Sequence, residues 1–351
     1  MRVAITGFGA SWNRGAHVLT PDSSLRAVFQ RADTPSSSDS TVEAIRHQLI
    51  QNAFVEPVNS NRVALVYGSS KGDLEHLENL NSTDWIAWPN RFALEIARDL
   101  RVGGAVLAPV AACATGAHAI ALGALQIQTG RADIVIAGAS EPPQPELVLA
   151  AYRNLGALSK LGQMRPFDAH RDGFLPSNGD GFLVLESETN ARKRGAKIHG
   201  FLAGTSILCD ATSMTSMQPG GQTIARAIHD ALFKAGHPKI DYINAHGTAT
   251  QLGDLIEGRA IHSVFGDKVP VSSTKSLTGH LMGASGAVEA VICLLSMQQD
   301  FAPPNLGLEE IDAEMKLDFV MGAEREVKID SVLSLSYGFG GHIGALILVK
   351  D

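Results

Sequence analysis

Two stretches of the chain, Ala114 to Gln128 and Ala284 to Gln298, are built almost wholly of small and apolar residues. A helix of that make-up has no polar face to offer water, so it must be buried on most sides. Gly130 stops the first. Each stretch follows an apolar run, Val106 to Ala112 before one and Val269 to Ser273 before the other. The two stretches lie 170 residues apart and match at Ala114/Ala284, Gly116/Gly286, Ala117/Ala287, Leu125/Leu295 and Gln128/Gln298, with Thr115/Ser285 similar. Five matches in fifteen among small residues could arise by chance, but the strand-then-helix context repeats as well. In this register Gly283 stands where Cys113 stands. The expectation is two related halves, 1–195 and 196–351.

Further runs fill in each half. Val3 to Thr6, Val63 to Tyr67, Asp133 to Ala137 and Gly181 to Glu186 read as strands, the last preceded by the turn residues Ser177 to Asp180. Residues 32–40 read as a surface loop, and Arg91 to Leu100 has helical spacing. Beyond 196, Ile198 to Ala203, Tyr242 to Ala245, Val332 to Ser336 and Ala345 to Val349 read as strands, and Thr223 to Ala235 as a helix. Strands alternating with helices predict an α/β fold with parallel sheets.

Composition removes some functions. Hydrophobic residues are 45% and charged residues 19%, as in a globular chain with a sizeable core. A net charge of −7 argues against nucleic acid as a partner. Three cysteines, Cys113, Cys209 and Cys293, make no disulfide framework and no C-x-x-C pair, which points to a reducing compartment and no zinc site. The first residues read as a strand rather than a signal peptide, and no stretch reaches the roughly 20 apolar residues that span a bilayer. A cytoplasmic enzyme is the expectation.

Three residues then stand at strand ends. Cys113 lies between a strand and a helix, where helix N–H groups and dipole favour a thiolate and can hold an oxyanion. A buried, inert cysteine would look the same. His246, in Asn244-Ala-His-Gly-Thr-Ala-Thr250, and His280, after Ser273-Thr-Lys-Ser-Leu-Thr-Gly279, both follow strands, at the edge where α/β sheets bind ligands. Either histidine alone also suits a loop residue that pairs with an acid such as Asp254 or caps a helix. Ser336-Tyr-Gly-Phe-Gly-Gly341 is a backbone-permissive loop, or an ordinary turn. Together the cysteine and two histidines point to one site.

These segments together resemble the β-ketoacyl-acyl-carrier-protein synthase family, on the KAS I/KAS II branch of the thiolase-like condensing enzymes. Arg165-Pro-Phe-Asp168, Arg171-Asp-Gly-Phe174, Gly181 to Glu186 and Lys193 to Ile198 agree with it. The resemblance covers essentially the whole chain from Val3. It implies a thiolase-like layered αβαβα fold from two similar halves, and a dimer. It implies that Cys113 takes an acyl group from a carrier-protein thioester, with the N–H groups of Cys113 and Phe339 as oxyanion hole. His246 and His280 would assist decarboxylation of a malonyl thioester, supported by Lys275 and Glu289. Thr248 and Thr250 would bind the pantetheine arm, Phe339 would gate the acyl pocket, and Phe167 and Arg171 would lie near its mouth. Asp254 and Glu257 match structural positions. Arg171 and Lys193-Arg194 are candidates for the carrier-protein surface. No metal or organic cofactor is implied.

The chain also departs from the family pattern. It is shorter, chiefly before Arg91 and around Asp210 to Thr215. Pro176 to Asp180 replaces a glycine-rich run, Tyr337 stands where phenylalanine is usual, and His342-Ile343 replaces Thr-Asn. These changes bear on substrate choice more than reaction class. A non-catalytic or heterodimeric ketosynthase-like subunit is the alternative. A thiolase acting on coenzyme A esters is disfavoured, because no second catalytic cysteine is present.

Overall fold

The computed structural model describes residues 1–13, 17–30, 59–72, 74 and 90–351. The loop expected at 32–40 lies outside the described residues. Five strands of the first half are β1 (Val3–Trp12), β2 (Val63–Gly68), β3 (Val106–Leu107), β4 (Ile134–Glu141) and β5 (Gly179–Ser187). Five of the second are β6 (Gly200–Cys209), β7 (Tyr242–Asn244), β8 (Pro270–Ser272), β9 (Ser331–Gly338) and β10 (His342–Val349).

The order β3-β2-β4-β5-β1 in the first set recurs as β8-β7-β9-β10-β6 in the second. Parallel and antiparallel pairings recur with it. β2 lies parallel to β3 and β4, as β7 lies parallel to β8 and β9. β4–β5 and β5–β1 are antiparallel, like β9–β10 and β10–β6. The two sets join where β1 pairs antiparallel with β6, Ile5 facing Gly200. The sheet is therefore mixed, not parallel as expected. The hydrophobic runs gave no sign of this, because β4, β5 and β9 are buried on both faces and lose their alternation.

The helices that matter are α1 (Arg91–Asp99), α2 (Thr115–Gln128), α3 (Glu146–Asn154), α4 (Gln222–Lys234), α5 (Gln251–Phe265), α6 (Lys275–Thr278) and α7 (Ser285–Gln299). α1 packs on β2, and α4 packs on β6 and β10. α2 and α7 form the middle layer and touch each other and strands of both halves. Every residue of α7 from Ser285 to Met297 is buried. The predicted Val106–Ala112 strand is cut short at Leu107, because Pro109 cannot donate to a ladder.

The middle helices approach closely because the residues that face each other in their first turns, Gly116 and Ala117 against Gly286 and Ala287, carry nothing larger than a methyl. A Cβ at Gly116 would stand 2.6 Å from the Ala287 nitrogen, and one at Gly286 would stand 2.9 Å from the Ala117 nitrogen. Gly116→Ala should therefore destabilise the protein by about 1–3 kcal/mol, since overpacking outweighs the gain in helix propensity. Urea melts of the two proteins measure it, and equal midpoints would contradict the close approach.

Candidate active site

Cys113 sits in the middle of a one-turn 3-10 helix, Ala112–Ala114, that leads into α2. Ala112 has φ +46°, a left-handed conformation that costs a non-glycine residue strain. Met282 has φ +45° at the matching place before α7, so both repeats use the same strained turn. Cys113 is 8% exposed. Its placement at a helix start was expected to favour the thiolate. Instead burial pushes the thiol up to about 11; Lys71 and Lys275 pull it down, and Glu141 pushes it further up. The resting group is the thiol, because withdrawal from water outweighs the helix terminus.

The histidines stand together. His246 follows β7, His280 follows α6, and their ring centroids are 5.6 Å apart. Lys275, wholly buried, lies behind His246. Its ammonium donates to the His246 carbonyl at 2.7 Å, reaches His246 Nδ1 at 3.2 Å and contacts Glu289 directly. An ammonium can only donate, so His246 Nδ1 accepts and the proton sits on Nε2. His280 Nδ1 lies 3.1 Å from the Ser285 hydroxyl, and the ring stands edge-on to Phe174. Burial, then Lys275, then His280 hold His246 well below the ordinary imidazole range. Burial, Lys275 and Lys71 do the same for His280. Both rings are neutral. Burial pushes Glu289 up to about 7 against the pull of Lys275, and their direct contact is that of an ion pair.

Two carboxylates on α5 shape the loop that carries His246. Glu257 accepts the backbone N–H groups of His246 and Gly247 at 2.7 and 2.8 Å. Asp254 accepts the N–H of Phe167 at 2.8 Å rather than pairing with a histidine. Thr248 and Thr250 hydroxyls lie 3.1 Å apart on the same loop. Phe167 and Arg171, expected near the mouth, are elsewhere. Phe167 is fully buried against Phe319, with centroids 4.8 Å apart. Arg171 is buried too, bonding the carbonyls of Asp168, Thr250 and Gln251 and pairing with Asp312 at 2.7 Å. It clamps the wall from behind and cannot face a docking protein. Of the other surface candidates, Arg194 pairs with the buried Glu186 and Lys193 is exposed.

A cleft of about 350 Å³ gathers Cys113, His246, His280, Thr248, Thr250 and Phe339. The glycine loop closes one side. A Cβ at Gly338 would stand 3.0 Å from the Cys113 nitrogen and 2.6 Å from the Ala111 carbonyl, so only glycine allows this approach. Gly340 donates to the Met214 carbonyl and Asp210 donates to that of Gly341, both at 2.8 Å. The 210–214 segment thus braces the loop. Tyr337 packs its ring on His246, centroids 5.2 Å apart. His342 turns away from the cleft, edge-on to His118.

The structure adds residues that the sequence reading passed over. Tyr152 of α3 lines the cleft between Phe174 and Phe339, with centroids at 5.5 and 6.3 Å. Ser70, Lys71 and Glu141 form a polar knot behind Cys113. The Gly68-Ser-Ser-Lys71 run at a strand end was a visible signal for it. Among the described residues, no group of three or more His, Cys, Asp or Glu is placed to hold a metal ion. No described helix is long and apolar enough to cross a membrane.

Comparison with known proteins adds to this geometry. Residues 39–191 match the family model "Beta-ketoacyl synthase, N-terminal domain", and 199–309 match "Beta-ketoacyl synthase, C-terminal domain". The chain is 37% identical to 3-oxoacyl-[acyl-carrier-protein] synthase 2 of Synechocystis over 319 residues, covering 84% of this chain and 77% of that protein. It is 35% identical to the same-named protein of Mycobacterium tuberculosis over 93% of this chain and 84% of that one. Among solved structures, a β-ketoacyl synthase from Burkholderia phymatum superposes with a TM-score of 0.90 at 28% identity, covering 100% of this chain and 99% of the other. The ishigamide ketosynthase/chain length factor gives 0.85 at 28%, with the same coverage.

The neutral pair is testable by NMR of the imidazoles. His246 and His280 should keep neutral-ring shifts from about pH 8 to about pH 5.5, a range in which a free imidazole near 6.5 becomes largely charged. The unfolded chain binds protons that the folded chain refuses, so these residues make stability fall as pH drops below about 6.5. A ring that titrates near 6.5 would show that burial does not control it.

Proposed function

The chain belongs to the β-ketoacyl synthase family, and on that premise we propose how its own residues carry out the family's condensation. It is a 3-oxoacyl-acyl-carrier-protein synthase, a condensing transferase of fatty-acid or polyketide synthesis. The observation that carries the residue roles is the convergence of one cysteine and two neutral histidines on one cleft. In this reading units 1–195 and 196–351 divide the work: the first supplies the nucleophile, the second both histidines.

Cys113 Sγ attacks the carbonyl of an acyl group on a carrier-protein thioester. The new C–S bond replaces the bond to pantetheine, whose sulfur leaves with the proton that Cys113 gave up. The N–H groups of Cys113 and Phe339 hold the oxyanion. Malonyl thioester then takes the cleft, with Thr248 and Thr250 against the pantetheine arm. Nε2–H of His246 and an N–H of His280 donate to the thioester oxygen. Loss of carbon dioxide leaves its bonding electrons on that enolate. Neutral donors stabilise the oxygen without offering the carbon an acidic proton. The enolate carbon attacks the acyl–Cys113 carbonyl, and Cys113 leaves as thiolate. Lys275 and Glu289 keep His246 in the donating tautomer, and Phe339 gates the acyl pocket. Phe167 and Arg171 act from behind the wall by holding the 248–254 loop.

The partners are acyl- and malonyl-loaded carrier protein and a second ketosynthase-like chain, as homodimer or heterodimer. The ishigamide and Xenorhabdus doucetiae structures pair a ketosynthase with a chain length factor. β3 supports pairing here: it is a sheet edge, with Leu107 and the nearby Val110 exposed. Three free cysteines suit a reducing cytoplasm.

Incubation with a series of acyl-carrier-protein thioesters, read by intact mass, should add one acyl group to the native chain and none to Cys113→Ala. An adduct that persists in the variant would move the nucleophile elsewhere. No adduct with any donor would favour the non-catalytic subunit.

A further inference from the structure

Lys71 does not belong to the cysteine–histidine set, yet the fold brings it to the same place. It lies just past the end of β2, and that end is pressed against the start of α2. A Cβ at Gly68 would stand 2.5 Å from Thr115 Cγ2 and 2.3 Å from the Pro109 carbonyl. Lys71 Nζ donates to Glu141 at 2.8 Å and to the Ser70 hydroxyl at 2.5 Å. Glu141, whose side chain is fully buried, also accepts from the Ser70 N–H and hydroxyl, from Gln144 and from the Gly283 N–H at 3.1 Å. The 282–284 turn packs in turn on the 112–114 turn. The knot therefore spans the contact between the two strained turns.

We propose that Lys71 is a positioning residue that sets the readiness of Cys113 to form its thiolate, with Glu141 holding the ammonium in place and moderating it. The inference rests on Cys113 being the nucleophile. The groups around the thiol are Lys71 and Glu141 behind it, Lys275 of α6, and His246, His280 and Tyr152 across the cleft. The histidines are neutral, so among the described residues the two lysines carry the positive charge toward a sulfur that burial holds protonated. Each is paired with a carboxylate, Lys71 with Glu141 and Lys275 with Glu289, and of the two Lys71 acts on the thiol more strongly. Lys71 also helps keep His280 uncharged. A thiol buried this deeply forms little thiolate at neutral pH, and a fixed ammonium raises the fraction. During acyl transfer the thiol proton passes to the departing pantetheine sulfur, so Lys71 gives up no proton and the step needs no further reagent.

The test is the pH dependence of Cys113 alkylation by iodoacetamide, followed by peptide mass so that the exposed Cys209 is counted apart. Lys71→Met should slow alkylation at pH 8 by roughly three- to tenfold and move its midpoint up by about half to one unit. Lys71→Arg should keep the rate within about twofold, since it keeps the charge. Glu141→Gln should move it the other way and speed alkylation, a reversal that a merely structural role would not produce. Equal rates in native and Lys71→Met protein with an unchanged melt would overturn the inference. So would slowing in Glu141→Gln, or the same loss in Lys71→Arg as in Lys71→Met; these last two decide the matter if Lys71→Met does not fold. A native chain that takes an acyl group on Cys113 while Lys71→Met does so at the same rate sinks this inference alone. A native Cys113 that neither alkylates nor acylates sinks the nucleophile reading, and this inference with it.

Discussion

The contact between the first turns of α2 and α7 is the constraint on which the rest depends. With Gly116 against Ala287 and Gly286 against Ala117, two helix starts meet at backbone distance. A side chain larger than a methyl at this contact would force the helices apart. The strained residues Ala112 and Met282 then aim their turns at each other's surroundings. The strain is held because both turns are buried and followed at once by helices that cannot shift. Cys113 reaches the cleft from this position. Gly338 comes to the same place, so close that a Cβ on it would stand 3.0 Å from the Cys113 nitrogen.

Burial then decides the electrostatics. Cys113, His246, His280 and Glu289 are all withdrawn from water, and burial pushes each toward its uncharged form. Two cations resist this by taking fixed partners, Lys275 on Glu289 and Lys71 on Glu141. An ion pair this deep adds little stability over an apolar pair of the same shape. What it supplies is orientation. Lys275 spends its three donors on Glu289, the His246 carbonyl and His246 Nδ1, and that choice leaves Nε2–H as the group His246 offers the cleft. A lysine in water would donate anywhere.

Much of this was legible in the sequence, and what was not has physical causes. The buried helices could be read because nothing but burial explains fifteen residues with hardly a charge. That Cys113, His246 and His280 share one cleft could be read because they stand at strand ends beside glycine and hydroxyl residues. Strand direction could not, since β4 and β9 are buried on both faces and carry no periodicity to betray their neighbours. The family resemblance puts Phe167 and Arg171 near the mouth, but a resemblance carries no side-chain direction. Their segment meets the site from behind: Phe167 gives its backbone N–H to Asp254, and Arg171 gives its guanidinium to the carbonyls of Thr250 and Gln251. The raised thiol was missed because a helix start is a local feature and desolvation is not.

The repeat also shows how one plan yields an asymmetric site. The same strand order and the same strained turn occur twice, but the sulfur occurs once, at Cys113, with Gly283 opposite. Had the second turn kept a side chain, it would have struck Ser70, whose nitrogen lies 2.5 Å from where a Cβ at Gly283 would be. The glycine lets Ser70 and Glu141 close in, and Glu141 takes the Gly283 N–H. One copy of the turn thus opens on the cleft, while the other is filled by the carboxylate that holds Lys71. Loss of the second side chain and presence of the Lys71–Glu141 knot are therefore one structural fact. A side chain at 283 would displace Ser70 and Glu141 and so break the knot.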